Sequence, residues 1–205
     1  MLKVIFTVLG LAHLWACDRQ RGWLFYLTKP GAMLALLALA WQLGALGSPY
    51  GRWLLAGLAL STVGDIFLML PKERFIAGLS AFLLAHLCYV AAFWPGLGAP
   101  HWPWLALLVL AAAPVAWLLW PGLGVLKGPV VGYMAAIVAM AWLAGERYLG
   151  EPNVGTALAA AGALVFMLSD SLLALDRFRR PFKGAQLLVM ATYFSAQYLL
   201  VLSLA

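Results

Sequence analysis

The feature that most constrains this chain is a succession of apolar runs, each long enough to cross a membrane, separated by short charged or Pro/Gly-rich connections. A spanning helix needs about 20 apolar residues, and it pairs its backbone polar groups internally, as hydrocarbon surroundings require. The sequence therefore predicts an all-α, polytopic membrane helix bundle. About eight spans are expected, near residues 2–17, 29–46, 53–70, 75–94, 102–120, 129–145, 154–175 and 184–204.

Composition excludes a soluble domain. Of the 205 residues, 65% are hydrophobic and only 10% are charged, against about 25% charged residues in an average soluble domain. Eight spans leave no room for a separate extramembrane domain, so we predict one transmembrane helical domain over residues 1–205, with any active site inside the bundle. The net charge of +6 lies in short loops, where membrane orientation explains it, and nucleic-acid binding is not predicted. The pattern does not specify an oligomeric state.

Lysine and arginine residues are distributed unequally over the two sides of the membrane. With eight spans, Lys3, Arg52 and Arg147 lie on one side and ten bases on the other. The positive-inside rule then places the odd-numbered loops in the cytoplasm and both termini outside it, in the inner membrane if the protein is bacterial. The ten bases are Arg19, Arg21, Lys29, Lys72, Arg74, Lys127, Arg177, Arg179, Arg180 and Lys183.

A short sequence repeat within the chain suggests that the eight spans are two parallel copies of a four-span unit. Gly64-Asp65 near the end of the third span resembles Ser169-Asp170 near the end of the seventh, and the two aspartates are 105 residues apart. Because four is an even number of spans, the two halves would be parallel repeats about an axis along the membrane normal. Chance recurrence in a Leu-rich chain is the competing explanation.

Asp65 and Asp170 are the candidate catalytic residues. An aspartate inside a span costs about 2.5–3.5 kcal/mol, so it indicates a functional site. Both spans run toward the cytoplasm, and each aspartate precedes the last apolar residue, Leu70 or Leu175, by five positions, about 8 Å along the helix. Two carboxyls meeting at one depth would share a proton and form an acid beside a base. The alternative is that each aspartate has only a structural role and hydrogen-bonds to a neighbouring helix.

Polar side chains on two further spans are expected to face the same interior. His86 and Tyr89 share one face of the fourth span, and Tyr193 and Gln197 share one face of the eighth. We predict that these four residues orient a carboxyl group, a water or the substrate. A zinc site is the minor alternative, because one histidine and two aspartates lack a second histidine or a thiolate partner. No metal or other cofactor is predicted. The other two histidines, His13 and His101, are expected to be interfacial.

The residues then form a pattern that resembles the YhhN family, which includes the lysoplasmalogenases. The similarity covers about two thirds of the chain, through the third, fourth, sixth, seventh and eighth spans. It is carried by Gly64-Asp65, Gly78-Leu79, Phe82, Ala85-His86, Tyr89, Tyr133, Gly162-Ala163, Phe166, Ser169-Asp170, Tyr193 and Gln197.

This resemblance implies a membrane enzyme that cleaves the vinyl-ether bond of a lysoplasmalogen, with Asp65 and Asp170 at the positions of the family's motif acids. The implied partners are a lysophospholipid substrate and membrane lipids. Arg74, Arg177 and Arg180 follow the two acidic spans, where they would bind the substrate phosphate or only set orientation. Two other classes stay open: a proton-coupled transporter or channel, and a purely structural membrane partner.

Overall fold

The computed structural model describes residues 1–19, 22–70, 74–95 and 98–205. Over these residues the chain forms eight α-helices and no strand, which confirms the predicted polytopic helical bundle. Short 3-10 turns lie at Ala45–Gly47, Trp120–Gly122 and Gly124–Leu126. The helices are α1 (Leu2–Arg19), α2 (Gly22–Gln42), α3 (Pro49–Met69), α4 (Phe75–Phe93), α5 (Trp102–Leu119), α6 (Lys127–Gly150), α7 (Val154–Phe178) and α8 (Ala185–Leu202).

Length and hydropathy make this an integral membrane protein. Among the described residues, seven helices, α2 to α8, are long and apolar enough to span a bilayer. The eighth, α1, is a shorter apolar helix over Leu2–Cys17, and its run is also the weakest of the eight in the sequence. The described part of the chain thus forms eight helices, and seven of them are long and apolar enough to cross a membrane.

The two helices that carry the aspartates both begin at a defined cap. Ser48 accepts a hydrogen bond from the Gly51 backbone N–H at 3.0 Å at the start of α3. Asn153 and Thr156 form a reciprocal capping box at the start of α7. Such caps satisfy backbone N–H groups that have no partner within the helix, so they fix where α3 and α7 begin.

The chain divides into two compact units of four helices each. One unit comprises Met1–Ala92, which covers α1 to α4 up to its last residue, together with Leu204–Ala205, and the other comprises Phe93–Ser203, with α5 to α8. The boundary falls where the predicted four-plus-four division places it. Duplication and the single-domain assignment both stay predictions.

In the first unit, α3 and α4 pack closely because glycines in α3 leave room for aromatic rings of α4. A Cβ atom at Gly57 would overlap the Tyr89 ring, and one at Gly64 would overlap the Phe82 ring. Both rings are buried, Tyr89 completely. The glycine before Asp65 thus lets α4 approach the segment that carries the carboxyl group.

In the second unit, α7 packs against α5, α6 and α8, as its run of small residues suggests. Gly162 lies against the Ala196 carbonyl and the Leu200 side chain of α8. The Ser169 hydroxyl donates to the Val189 carbonyl of α8 at 3.0 Å. Ser169, the residue before Asp170, therefore connects α7 directly to α8 through a hydrogen bond.

Two of the differences between predicted and observed helix bounds affect the candidate site. α2 begins at Gly22, seven residues before the predicted start of the second span, so Lys29 lies inside a helix and not in a loop. α7 continues to Phe178, so Asp170 lies eight residues before its end, whereas Asp65 lies four residues before the end of α3. The equal spacing of the two aspartates from their helix ends therefore does not hold.

Candidate functional site

A buried ion pair is the principal polar feature of the first unit. Asp65 of α3 is 1% exposed, and its Oδ1 lies 2.8 Å from the Nζ atom of Lys29 in α2. Lys29 itself is 4% exposed. Removing two charges from water costs several kcal/mol per ion, and close contact between opposite charges offsets that cost.

The prediction that Lys29 is a cytoplasmic loop base is wrong. A lysine is costly within hydrocarbon, so a hydropathy pattern places it at the edge of a span. Here the Asp65 carboxylate on another helix supplies the opposite charge, and the preceding segment from Gly22 is apolar enough to continue the helix. Lys29 is therefore not one of the loop bases from which the membrane orientation is inferred.

Next to Lys29, a second buried polar contact joins α1 to α2. The Thr28 hydroxyl donates to the Leu24 carbonyl at 2.7 Å. The His13 Nδ1 atom, 3.0 Å from the Thr28 oxygen, is therefore the donor in their hydrogen bond. The His13 side chain is fully buried within the protein, and its expected position at the membrane interface stays a prediction. Two consecutive residues of α2, Thr28 and Lys29, thus each bind a polar side chain of a neighbouring helix.

His86 and Tyr89 lie on one buried face of α4, as their spacing predicts. Both are fully buried, and their rings meet edge to face with centroids 6.4 Å apart. The His86 Nδ1 atom lies 2.7 Å from the Phe82 carbonyl oxygen. Since a carbonyl only accepts, Nδ1 carries the proton, and in the neutral ring Nε2 is the acceptor nitrogen.

Asp170 has a different partner in the second unit. The Tyr133 hydroxyl of α6 donates a hydrogen bond to the Asp170 Oδ2 atom. Asp170 is only partly buried, in contrast to Asp65. Tyr133 is one of the residues that carry the family resemblance, and its contact with this carboxyl group is not among the contacts predicted from the sequence.

Tyr193 and Gln197, both buried on α8, belong to the same unit as Asp170. The Tyr193 ring packs edge to face on Phe166 of α7, with centroids 5.6 Å apart. Gln197 is fully buried, one helical turn further along α8. Their predicted roles toward substrate stay predictions.

The two units share one internal arrangement. In each, a residue of the second helix contacts the aspartate of the third helix: Lys29 with Asp65, and Tyr133 with Asp170. The contacting residues are 104 positions apart and the aspartates 105. The two aspartates belong to different units, so their action as a catalytic pair stays a prediction.

The predicted phosphate-binding arginines are exposed. Arg74 precedes α4, Arg177 lies in the last turn of α7, and Arg180 follows that helix. Two further bases of the same predicted side, Arg21 and Lys72, lie outside the described residues. Binding of substrate phosphate by these arginines stays a prediction.

An apolar groove of about 500 Å³ lies between α5 and α6 in the second unit. Alanines and other aliphatic residues form its walls, among them Val109, Ala113, Met134 and Ala135, and Trp142 also lines it. No lining residue is an acid or a base. The groove therefore fits hydrocarbon and offers no group for hydrolysis.

Glu146, which the sequence pattern places only at a helix end, anchors the start of α5. Its carboxylate is buried and accepts hydrogen bonds from the His101 backbone N–H at 2.9 Å, the His101 Nδ1 at 2.8 Å and the Trp142 Nε1 at 2.9 Å. Trp104 Nε1 donates to the Trp142 carbonyl at 3.2 Å. These contacts hold α5 to α6, so Glu146 serves structure.

We expect Glu146→Ala to lower the free energy of unfolding by about 3 kcal/mol, since hydrogen bonds to a charged group contribute about 1.5–3 kcal/mol each. Thermal unfolding of the detergent-solubilised protein measures the change. Glu151→Ala, at an exposed position one turn further on, is the matched control and should change the Tm little. Equal Tm values for the two variants would show that the cluster does not stabilise α5.

Donor groups for a metal ion are dispersed. Among the residues that the structure describes, no three His, Cys, Asp or Glu side chains come together as candidate ligands. Cys17 and Cys88 are free thiols. The expectation of a site without metal stays a prediction.

These observations define the class of the protein, which is a polytopic helical membrane protein with acidic side chains inside its spans. The sequence profile of the YhhN family matches residues 24–204. The chain belongs to the YhhN family.

Relatives cover nearly the whole chain. It is 33% identical to "Uncharacterized membrane protein YhhN" of Escherichia coli O157:H7, over 92% of this chain and 91% of that protein. It is 36% identical to "Lysoplasmalogenase TMEM86B" of Homo sapiens, over 93% of this chain and 79% of that protein. With "Lysoplasmalogenase TMEM86B" of Sus scrofa the identity is 38%, over 98% and 84%. No solved structure gives a significant match.

Proposed function

We propose that this chain is a lysoplasmalogenase-type hydrolase. It cleaves the vinyl-ether bond of a lysoplasmalogen with water and releases a fatty aldehyde and glycerophosphocholine or glycerophosphoethanolamine. The observation that carries this proposal is the similarity to relatives named lysoplasmalogenase, at 36–38% identity over more than nine tenths of the chain. The structure adds chemical support, since Asp65 and Asp170 each lie within a helix and each have a polar partner on the preceding helix.

Vinyl-ether hydrolysis requires one acid and one base. The acid delivers a proton to the alkene carbon that is not bonded to the ether oxygen, which leaves an oxocarbenium ion at the alkene carbon bonded to that oxygen. Water attacks that carbon while the base accepts a proton from it, and the hemiacetal then collapses to aldehyde and alcohol. Glycosidases divide the same tasks between two carboxyl groups. Asp65 and Asp170 are the proposed pair, and no cofactor is required.

A lipid assay tests the proposal. Purified protein is incubated with vinyl-ether, acyl and alkyl lysolipids, with and without chelator, and the products are identified by mass spectrometry. We expect aldehyde from the vinyl-ether lipids alone, at a rate that the chelator does not change. No aldehyde from any lysolipid, together with solute or proton flux across proteoliposomes, would replace the hydrolase with the transporter alternative.

His86→Ala is expected to lower kcat by about 10- to 100-fold, the range for residues that orient a reacting group at metal sites, used here as an analogy. The reason is that His86 is fully buried, with Nδ1 fixed on the Phe82 carbonyl, so that Nε2 is oriented as an acceptor. Turnover of a vinyl-ether lysolipid measures the loss. Leu87→Ala, at an exposed position of the same helix, should leave kcat near the wild-type value. Complete loss, with metal in the purified protein, would instead indicate that His86 is a ligand.

Neutralising Arg74, Arg177 or Arg180 to glutamine is expected to raise KM for a phosphate-bearing lysolipid by about two- to fivefold, with kcat retained. The factor corresponds to the loss of one exposed ionic contact, up to about 1 kcal/mol. Initial rates at varied lipid concentration measure KM. Arg52→Gln, an exposed arginine at the start of α3, is the control. Unchanged KM in all three variants would leave these residues as orientation signals only.

A further inference from the structure

The apolar groove of the second unit lies between two helices, α5 and α6, that are joined near both of their ends. At one end, the Glu146 carboxylate holds the start of α5 to α6, and Trp102 stacks on Trp142 with ring centroids 6.4 Å apart. At the other end, Leu119 of α5 and Val130 of α6 belong to one buried apolar cluster. The groove occupies the stretch between these two sets of contacts.

The residues of both walls explain why the groove stays open. Five of the eleven lining residues are alanines, whose single methyl groups fill little of the space between two helices. Pro114 lies in the α5 wall, where it interrupts the backbone hydrogen-bond ladder and favours a bend. Every lining residue is at least partly exposed. Because α5 and α6 are both long and apolar enough to span a bilayer, the groove lies at the depth of lipid tails.

The groove has the dimensions of one lipid tail. Its walls run from Leu105 to Ala116 on α5 and from Val131 to Trp142 on α6, which is about 16 Å on each helix at about 1.5 Å per residue. One leaflet of a hydrocarbon core about 30 Å thick has a depth of about 15 Å. The groove volume is about 500 Å³. Over this length it gives a mean width of about 6 Å, which one tail fills because its carbon atoms contact their neighbours at about 3.5–4 Å.

A lysine and a tryptophan meet where the two walls end. Lys127 lies one helical turn before Val131, on the same face of α6. Trp120 lies one turn after Ala116, and its backbone N–H still bonds to the Ala116 carbonyl, so it continues the α5 wall. The Lys127 Nζ atom is 4.9 Å from the centre of the Trp120 ring, and both residues are exposed. The groove is therefore apolar along its length and cationic at one end.

The surroundings of this end add positive charge. Gly122, in the same turn as Trp120, lies against the Phe178 carbonyl at the end of α7, where a Cβ atom would overlap the oxygen. The last residues of α7 and the two that follow it carry three bases and one acid, which are Arg177, Arg179, Arg180 and Asp176. Such a surplus of bases attracts anionic lipid headgroups.

We propose that the groove is a binding site for an anionic membrane phospholipid, with one tail between α5 and α6 and the phosphate on Lys127. The site goes beyond the proposed hydrolysis and does not depend on it. Lipid tails are as apolar as the groove walls, so the hydrophobic effect alone does not favour the groove over bulk lipid. A tail enclosed by two helices gains dispersion contacts, and Lys127 supplies the charge that selects the headgroup. The glycerol backbone lies along the turn of about 6 Å between Lys127 and Val131.

Photo-crosslinking tests the position of the tail. Delipidated protein in detergent is incubated with a phosphatidylglycerol that carries a diazirine in one tail, and the labelled residues are identified by mass spectrometry. We expect the strongest labelling on the groove walls, at Val109 and Val138. Ala113→Trp fills the groove and should lower labelling there about tenfold or more, because the indole takes the place of the tail contacts. Ala111→Trp, at an exposed α5 position outside the groove, is the matched control and should retain the labelling. Equal labelling of all the spanning helices would overturn the proposal.

Native mass spectrometry tests the headgroup. Dissociation constants are compared for phosphatidylglycerol and phosphatidylcholine with identical tails. We expect the anionic lipid to bind about fivefold more tightly, the effect of one basic residue near a lipid surface. Lys127→Met should remove this preference, whereas Lys3→Met, at an exposed position of the first unit, should retain it. Equal dissociation constants for the two lipids in the wild-type protein would contradict the assignment of Lys127.

The same spectra distinguish the other possible occupants. Inorganic phosphate has no tail, so it should not displace phosphatidylglycerol, and displacement at equal concentration would assign the site to free phosphate. A wild-type dimer that becomes monomeric in Ala113→Trp would assign the groove to a second copy of this chain. If Ala113→Trp does not fold, Ala135→Trp fills the groove from the exposed side of the α6 wall. All of these measurements are made without turnover, so they keep their meaning if the protein releases no aldehyde from any lysolipid.

Discussion

Replacing Asp65 or Asp170 by asparagine is expected to lower kcat for a vinyl-ether lysolipid by about 10³-fold or more, with the protein still folded. Asparagine keeps the size of the side chain but neither donates nor accepts the transferred proton, and general acid–base catalysis contributes about 10²- to 10⁴-fold for each group. Asp65 is fully enclosed in the first unit, and Asp170 is hydrogen-bonded within the second. Aldehyde release by the purified variants, each assayed well below its own Tm, measures the effect.

Asp176→Asn is the matched control for these two variants. Asp176 also lies in α7, and its Oδ1 accepts a hydrogen bond from the Phe182 backbone N–H at 3.1 Å. An asparagine oxygen accepts the same bond, so we expect turnover to be unchanged. Near-normal kcat in both Asp65→Asn and Asp170→Asn would exclude the pair from the mechanism and favour a structural role.

The number of helices and the placement of the aspartates inside them can be predicted because both depend on local sequence. A run of about 20 apolar residues commits the backbone to a helix whatever its neighbours are. An aspartate in such a run is conspicuous because hydrocarbon cannot solvate it. For the same reason, helical spacing alone predicts the inward faces on which His86 and Gln197 are buried.

Lys29 and His13 cannot be placed in this way, because their burial depends on partners in other helices. Lys29 is separated from Asp65 by 36 residues, and His13 is separated from Thr28 by 15. A hydropathy pattern compares each polar side chain only with a hydrocarbon surrounding and ignores partners on other helices. It therefore places Lys29 and His13 at the membrane edge. One signal is present: Lys29 and Tyr133 recur at almost the same interval as the two aspartates.

The error at Lys29 also changes how membrane orientation is inferred. Removing a buried, paired lysine from the cytoplasmic set leaves nine bases there against Lys3, Arg52 and Arg147. The positive-inside rule depends on bases in short loops, and the remaining asymmetry has the same sign. Both termini are therefore still predicted to lie outside the cytoplasm.

Removing one partner of the Lys29–Asp65 pair is expected to have the largest effect on stability. Lys29→Met leaves the Asp65 carboxyl group buried without its counter-ion, and breaking a buried pair typically costs about 3–5 kcal/mol. Thermal unfolding in detergent should therefore show a clear fall in Tm. Lys183→Met, at an exposed position before α8, removes the same charge at the surface and should change Tm little.

The double variant Lys29→Met/Asp65→Asn separates lost attraction from lost packing. It removes both charges at once, and replacing a complete buried pair by uncharged groups of similar size is often neutral for stability. We expect it to regain most of the Tm that Lys29→Met loses, so the effects of Lys29→Met and Asp65→Asn should be strongly non-additive. Additive losses in the double variant would mean that the 2.8 Å contact contributes no coupling. Non-additivity would instead show that α2 holds a charged lysine inside the bundle because α3 presents the opposite charge.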